Sequence, residues 1–213
     1  GTIIKEVKKG SVVGIIDLTR GELGTRGNAN TRDLETEKAT SIMGVSFREN
    51  MNFKDGFFKD DEAHKIALVK KIRMYRPDII ITNAISDRHP DHSRAANITV
   101  DASFLSGLEK IETSQEIWRP QAIYHYIQFN SIAPDILVDI SEQMDLKLDS
   151  VKAYKTQFYN PNSQEPETII SSKGFLDSVT YRAKDLGRQS GCEYAEGFIS
   201  HQLLKVDSLL DVK

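Results

Sequence analysis

Two runs of apolar, largely β-branched residues constrain this chain most: residues 11–18 (SVVGIIDL) and residues 78–82 (DIIIT). A strand with one wet face alternates apolar and polar side chains. A run without that alternation is expected of a strand covered on both faces, as in a parallel sheet. Helical spacing separates the runs. Residues 2–9 place Ile3, Ile4 and Val7 on one face before Gly10, residues 31–43 are closed by Gly44, and residues 60–75 carry Ile66, Val69, Ile72 and Arg73 before Arg76-Pro77 ends them. Further helices are expected from the HPDH segment to about Ser106, over 141–154 and over 172–187, with a polar loop at 160–166. Strands are expected at 122–128, 136–139 and 198–206. Strands alternating with helices predict an α/β, Rossmann-like fold, a mostly parallel sheet with helices on both faces. No repeat, low-complexity tract or linker-like shift in composition divides the 213 residues, so residues 1–213 are read as a single domain.

Charge and composition exclude several classes of function. With 28 basic and 31 acidic residues the net charge is −3, which offers no basic excess for a phosphate backbone, so no nucleic acid partner is expected. No apolar run approaches the roughly 20 residues that span a bilayer, so no membrane partner is expected either. The one cysteine, Cys192, allows no internal disulfide and no thiolate-rich zinc site, which points to a reducing compartment and a cytoplasmic protein. The chain opens without methionine on a helix already under way, from which an upstream segment is expected.

The segment Ile85-Ser86-Asp87-Arg88-His89-Pro90-Asp91-His92-Ser93 follows the strand at 78–82, at the carboxyl edge where such sheets collect ligands. With His89 as cap and Pro90 as the first helical residue, Asp91 and His92 fall in the opening turn and both imidazoles face one pocket. Neutral imidazole is a common metal ligand, and a neighbouring carboxylate, here Asp91, can fix its tautomer. Two histidines do not complete a catalytic zinc site, which takes three protein ligands. A histidine pair at a helix start also serves as a plain capping arrangement, and on spacing alone both readings stand. Arg88 is read as structural, His125 (in YHY) as packed or hydrogen-bonded, and His64 and His201 as solvated. Phe53, Phe57 and Phe58 are assigned to packing, and Cys192 to no role. The spacing of Gly21, Gly24 and Gly27 differs from a dinucleotide fingerprint, so no nucleotide cradle is expected.

Arg88-His89-Pro90-Asp91-His92, with DLTRGELGT (17–25), YKTQFY (154–159), YRAKD (181–185) and AEGF (195–198), resembles the zinc-dependent LmbE-like (PIG-L) N-acetylglucosaminyl deacetylases over essentially the whole chain. Within them it looks most like the deacetylases of bacillithiol biosynthesis, which remove acetate from N-acetylglucosaminyl malate. The resemblance implies a Zn2+ held by His92 together with a histidine and an aspartate of an amino-terminal AHPDD motif. It implies His89 as acid or charge stabiliser, oriented by Asp91, and the other AHPDD aspartate as general base. That motif is absent from the sequence, so the domain is expected to be amino-terminally truncated and to lack its first strand. Arg20 and Glu22 are expected to line a sugar pocket. Arg32 matches a family arginine near the substrate, and its guanidinium suits a carboxylate such as malate's. A homo-oligomer, trimer or hexamer, is implied as well. Two other readings remain: a deacetylase of a different N-acetyl glycoside, or a non-catalytic sugar-binding remnant.

Overall fold

The computed structural model describes residues 1–211; the last two positions of the expected 1–213 domain lie outside the described residues. The elements follow as α1 (Thr2–Lys8), β1 (Gly14–Asp17), α2 (Ala29–Met43), β2 (Phe47–Asn50), α3 (Glu62–Tyr75), β3 (Ile79–Thr82), α4 (Pro90–Leu105), β4 (Ala122–Tyr126), β5 (Ile136–Asp139), α5 (Met144–Lys152), α6 (Lys173–Ser190) and β6 (Ala195–Ser200). The α/β, Rossmann-like fold and its mostly parallel pairing are as the alternation predicts. β1 pairs in parallel with β2, and a second sheet runs β3-β4-β6-β5, with β3 and β4 parallel and β4 and β6 antiparallel.

Helix ends obey local chemistry. The Asn28 side chain accepts from Thr31 N–H to start α2, and the Asp61 carboxylate accepts from His64 N–H to start α3. α2 stops on Gly44 at φ 69°, the left-handed conformation that glycine adopts freely. α3 stops on Arg76, also left-handed at φ 48°, where the cost to a residue with a Cβ is offset by contacts. Its guanidinium bonds Glu116 at 2.9 Å and lies 4.7 Å from the centre of the Trp118 ring.

Several boundaries differ from expectation. β1 begins three residues later than 11–18 predicts, leaving Val12 83% exposed. Ile79 and Ile81 of β3 are exposed as well. Strands covered on both faces were expected here; β3 instead ends its sheet, and β1 pairs only with β2 among the described residues. β2, Phe-Arg-Glu-Asn, was not expected, since three polar residues in four carry no strand period. The last strand lies at Ala195–Ser200 rather than 198–206, and the tail beyond it, including Leu203, Leu209 and Leu210, is exposed. Residues 141–154 divide into a 3-10 turn at Ser141–Gln143 and α5.

The described residues fall into two compact units, Gly1–Phe58 with Leu137–Glu196, and Lys59–Ile136 with the residues from Gly197 on. In the first, Ile140, Met144 and Ala183 form a buried cluster with Val138, Leu148 and Tyr194 against it. Glu196 lies on β6, its carboxylate accepting from the backbone nitrogens of Gly1 (3.0 Å) and Thr2 (2.7 Å) and from Lys147 Nζ (2.8 Å). In the second unit α3 packs on α4, with Val69 and Ile98 fully buried. Arg73, on the same helix as Val69, is buried too. Its guanidinium donates to the carbonyls of Ser106 (3.0 Å), Leu108 (2.7 Å) and Ile111 (2.6 Å) and to the Thr113 hydroxyl (2.7 Å).

Two stability predictions follow from these ions. Arg73→Met strips the 106–113 segment of its donors and should cost about 3–5 kcal/mol in urea denaturation; a loss under about 1 kcal/mol would show that the carbonyls find other partners. Burial alone would raise the Glu196 pKa, but Lys147 and the backbone donors hold it well below the usual carboxylate range. A folded-state pKa below the unfolded one stabilises above roughly pH 4.3, and that contribution disappears as pH falls through the folded value. Glu196→Gln should therefore lower stability at neutral pH and flatten its acid dependence, measured as thermal midpoints across a pH series.

Candidate active site

The second unit positions the histidine pair. β3 ends at Thr82, and the following loop is held by Gln128, whose side-chain oxygen accepts from Asn83 Nδ2 (3.2 Å) and Ala84 N–H (3.4 Å). His125, fully buried on β4, lies with Nδ1 2.9 Å from the Asn83 carbonyl, so it is the packed residue expected. His89 is the N-cap of α4 and Pro90 opens the helix, as the sequence predicts.

The two rings lie 5.1 Å apart, centre to centre, and are tied down differently. His89 Nδ1 accepts from Asp91 N–H at 3.2 Å, so Nδ1 is bare and the proton of a neutral ring sits on Nε2. His92 Nδ1 stands 2.7 Å from Asp87 Oδ2. The Asp87 side chain has no exposed surface and also accepts from Arg88 N–H (2.6 Å) and Phe129 N–H (3.5 Å). Burial would push its pKa up, but the His92 bond and the backbone donors outweigh it and hold the carboxyl below its ordinary value. An ionised Asp87 accepts the Nδ1 proton of His92 and leaves Nε2 with its lone pair. One ring thus presents a proton and the other a lone pair.

The partner expected to orient a ring through its carboxylate was Asp91. Here Asp87 bonds His92, while Asp91 reaches His89 through its backbone N–H and its carboxylate pairs closely with Arg94. Arg88 is structural, its guanidinium 5.2 Å from the Phe129 ring centre. His64 is half-buried and bonded to Asp61 at 2.6 Å instead of solvated; His201 is exposed, its ring 5.8 Å from that of His125. His92, with Nδ1 held by a buried carboxylate, fits one ligand position of a metal through Nε2. Among the described residues no group of three or more His, Cys, Asp or Glu side chains gathers to hold a metal ion, so the fit extends to that single ligand.

The first unit carries Arg20, Glu22 and Arg32. Arg20 and Arg32 line a cavity of about 490 Å³ with Asp17, Arg48, Asn50 and Tyr154. Arg20 pairs closely with Asp33. Arg32 is buried, and its Nε, 3.5 Å from Glu35, has no hydrogen-bond partner among the described residues. Glu22 is committed to the backbone, accepting from Asp55 N–H at 2.8 Å, and these backbone donors keep its pKa below the ordinary value against the effect of burial. The pair Asp17–Arg48, joined at 2.6 and 2.9 Å, escaped the sequence reading because Arg48 sits in the unpredicted β2. Phe58 is in the core 6.0 Å from the Phe53 ring, whereas Phe57 is exposed.

Residues 1–103 match the family model described as PIG-L, GlcNAc-PI de-N-acetylase. The conserved protein TT1542 of Thermus thermophilus superimposes with a TM-score of 0.87 at 32% identity, over 97% of this chain and 89% of that one. The chain belongs to the PIG-L (LmbE-like) family. The diacetylchitobiose deacetylase of Thermococcus kodakarensis is 28% identical to this chain over 210 residues, 92% of this chain and 75% of its own length. The fold alone is shared with GalB, the 4-carboxy-2-hydroxymuconate hydratase of Pseudomonas putida (TM-score 0.79, 18% identity, 98% and 91% covered). No helix among the described residues is long and apolar enough to cross a membrane.

The assignment of protons to the two rings is open to direct test. In metal-free protein above the imidazole pKa, ring nitrogen shifts should show His89 protonated at Nε2 and His92 at Nδ1. Asp87→Ala should release His92 to a mixture of both forms. The same His92 spectrum in wild type and variant would count against Asp87 as the group that sets it.

Proposed function

We propose that this PIG-L protein is a zinc-dependent hydrolase that removes acetate from an N-acetylglucosaminyl conjugate, with N-acetylglucosaminyl malate of bacillithiol biosynthesis as the leading substrate. The observation that carries the reading is the complementary pair, a bare Nε2 on His92 beside an Nε2–H on His89. The fold by itself does not choose a reaction, since a hydratase shares it. The family model and the diacetylchitobiose deacetylase relative favour deacetylation.

Hydrolysis adds water across the acetyl C–N bond: acetate leaves, and the sugar nitrogen takes up a proton. His89 is set to give that proton from Nε2, or to donate a hydrogen bond where negative charge develops on the acetyl oxygen. Asp91 holds the ring by its backbone N–H, which keeps the proton on the outward nitrogen. His92 would hold the zinc, which when bound lowers the pKa of water toward about 7 and polarises the carbonyl. Arg32 and Arg20 are the proposed substrate contacts, with the Arg32 guanidinium suited to a malate carboxylate; Glu22 contributes by holding the loop that carries Arg20. We place the protein in the cytoplasm, acting on a small molecule as a homotrimer or hexamer.

In the complete gene product, which should bind about one zinc ion per chain, His92→Ala should remove most of the metal, measured by elemental analysis. His89→Ala should keep the zinc and lose about 10²–10⁴-fold in acetate release. Normal zinc in the first variant would overturn the ligand assignment. For the substrate, acetate release is compared across N-acetylglucosaminyl malate, diacetylchitobiose and other N-acetyl glycosides. Indifference to the malate group would favour the alternative that the diacetylchitobiose deacetylase relative suggests, a different N-acetyl glycoside.

A further inference from the structure

In the second unit the pairing of β3 with β4 stops at Thr82 opposite His125, and from there side chains take over the hydrogen bonding of the loop that leads to α4. His125, 2% exposed, places Nδ1 2.9 Å from the Asn83 carbonyl. A carbonyl only accepts, so Nδ1 carries the proton and Nε2 is bare. That Nε2 is buried and has no hydrogen-bond partner among the described residues. Burial holds the ring pKa below its ordinary value; the Asn83 bond opposes the shift and His201 adds to it, so the ring stays neutral at neutral pH. A buried nitrogen without a partner is a cost that a leucine in the same space would avoid. What the imidazole supplies instead is a donor to Asn83.

A short series of contacts carries the effect of that donor to the histidine pair. Asn83 is held at its carbonyl by His125 and at its side chain by Gln128, whose oxygen also takes the N–H of Ala84, a residue 1% exposed. Further along the same loop, Phe129 N–H meets Asp87, and the Phe129 ring meets the Arg88 guanidinium. Asp87, its side chain without exposed surface, stands 2.7 Å from His92 Nδ1. The Phe129 bond is long at 3.5 Å and is a weak anchor for Asp87 by itself; the shorter tie lies upstream, at the Asn83 carbonyl. We propose that His125 is a positioning residue for His92: its Nδ1–H fixes the Asn83 carbonyl and with it the course of residues 83–87, so that Asp87 meets Nδ1 of His92 and Nε2 is left bare. This role deepens the proposed function and rests on it, since a bare Nε2 on His92 is the ligand the hydrolase would need.

The test reads ring nitrogen shifts in the metal-free full chain above the imidazole pKa. In the wild type His125 should show its proton on Nδ1. His125→Leu keeps an apolar side chain in place without the donor, and should raise the fraction of His92 protonated at Nε2 about five-fold or more. His125→Asn returns an N–H near the place of Nδ1 and should restore the wild-type His92 spectrum. A role in packing alone would lower the thermal midpoint of both variants and leave His92 unchanged. That result would overturn the proposal, as would a His92 disturbed equally by leucine and asparagine. Should His125→Leu not fold, the other two samples decide: a His125 proton on Nε2 in the wild type, or a disturbed His92 in His125→Asn, would overturn it. Acetate release is no part of this readout, so a wild type inactive on every N-acetyl glycoside would overturn the hydrolase reading while the ring spectra still decide the role of His125.

Discussion

A charged side chain taken out of water must find partners for nearly all its hydrogen-bonding atoms, and in this protein many of those partners lie in loops and at helix starts. Arg73 takes up three carbonyls between Ser106 and Ile111, and Glu35 accepts from both the N–H (2.7 Å) and the hydroxyl (2.8 Å) of Thr156. Asp87 gathers Arg88 N–H, Phe129 N–H and His92, and Glu196 gathers the opening of α1 and Lys147. A loop carries few apolar side chains of its own. Its position is set by the ion that needs it, and removing the ion leaves both sides unsatisfied.

The same rule makes the histidine pair specific. Both rings lie at the start of one helix and are chemically identical, yet a peptide N–H meets Nδ1 of His89 and a carboxylate meets Nδ1 of His92. Those neighbours decide which outward nitrogen carries a proton. The HPDH spacing places the rings together through the fixed geometry of the helix start, and Asp87, five residues before His92, separates their roles. In the first unit Arg32 is the counterpart: burial lowers its pKa, while Glu35 partly compensates.

Much of this was legible in the sequence. The alternation of runs gave the fold class, and Pro90 after His89 gave the start of α4 to the residue. Elements resting on burial or capping were also found, as with α3 before Pro77. What could not be read depended on partners far along the chain. β2 has no period of its own and exists because it pairs with β1, Gly14 opposite Phe47 through Asp17 opposite Asn50. Asp87 stood within the conspicuous segment, but its selection over Asp91 as the partner of His92 depends on how the loop folds back toward Phe129. The tail after β6 has strand-like composition, but its bonds to the β4 side stop at His201, whose N–H meets the Ile123 carbonyl, and Gln202, so the strand expected at 198–206 ends early.

The first unit is discontinuous, and its loops are clamped across that gap: Gly27 to Glu165, Arg26 to Ser163 and Glu35 to Thr156, separated by 138, 137 and 121 residues. Gly27 is held so tightly that a Cβ there would come within 3.0 Å of the Thr156 side chain. On the ribosome residues 1–58 therefore emerge without the surface that completes them. At roughly 5–20 residues per second they wait several seconds for it, while the whole middle segment is made. That nascent stretch is then the part most in need of chaperone shelter, and the cavities it helps to form belong to the last stage of maturation.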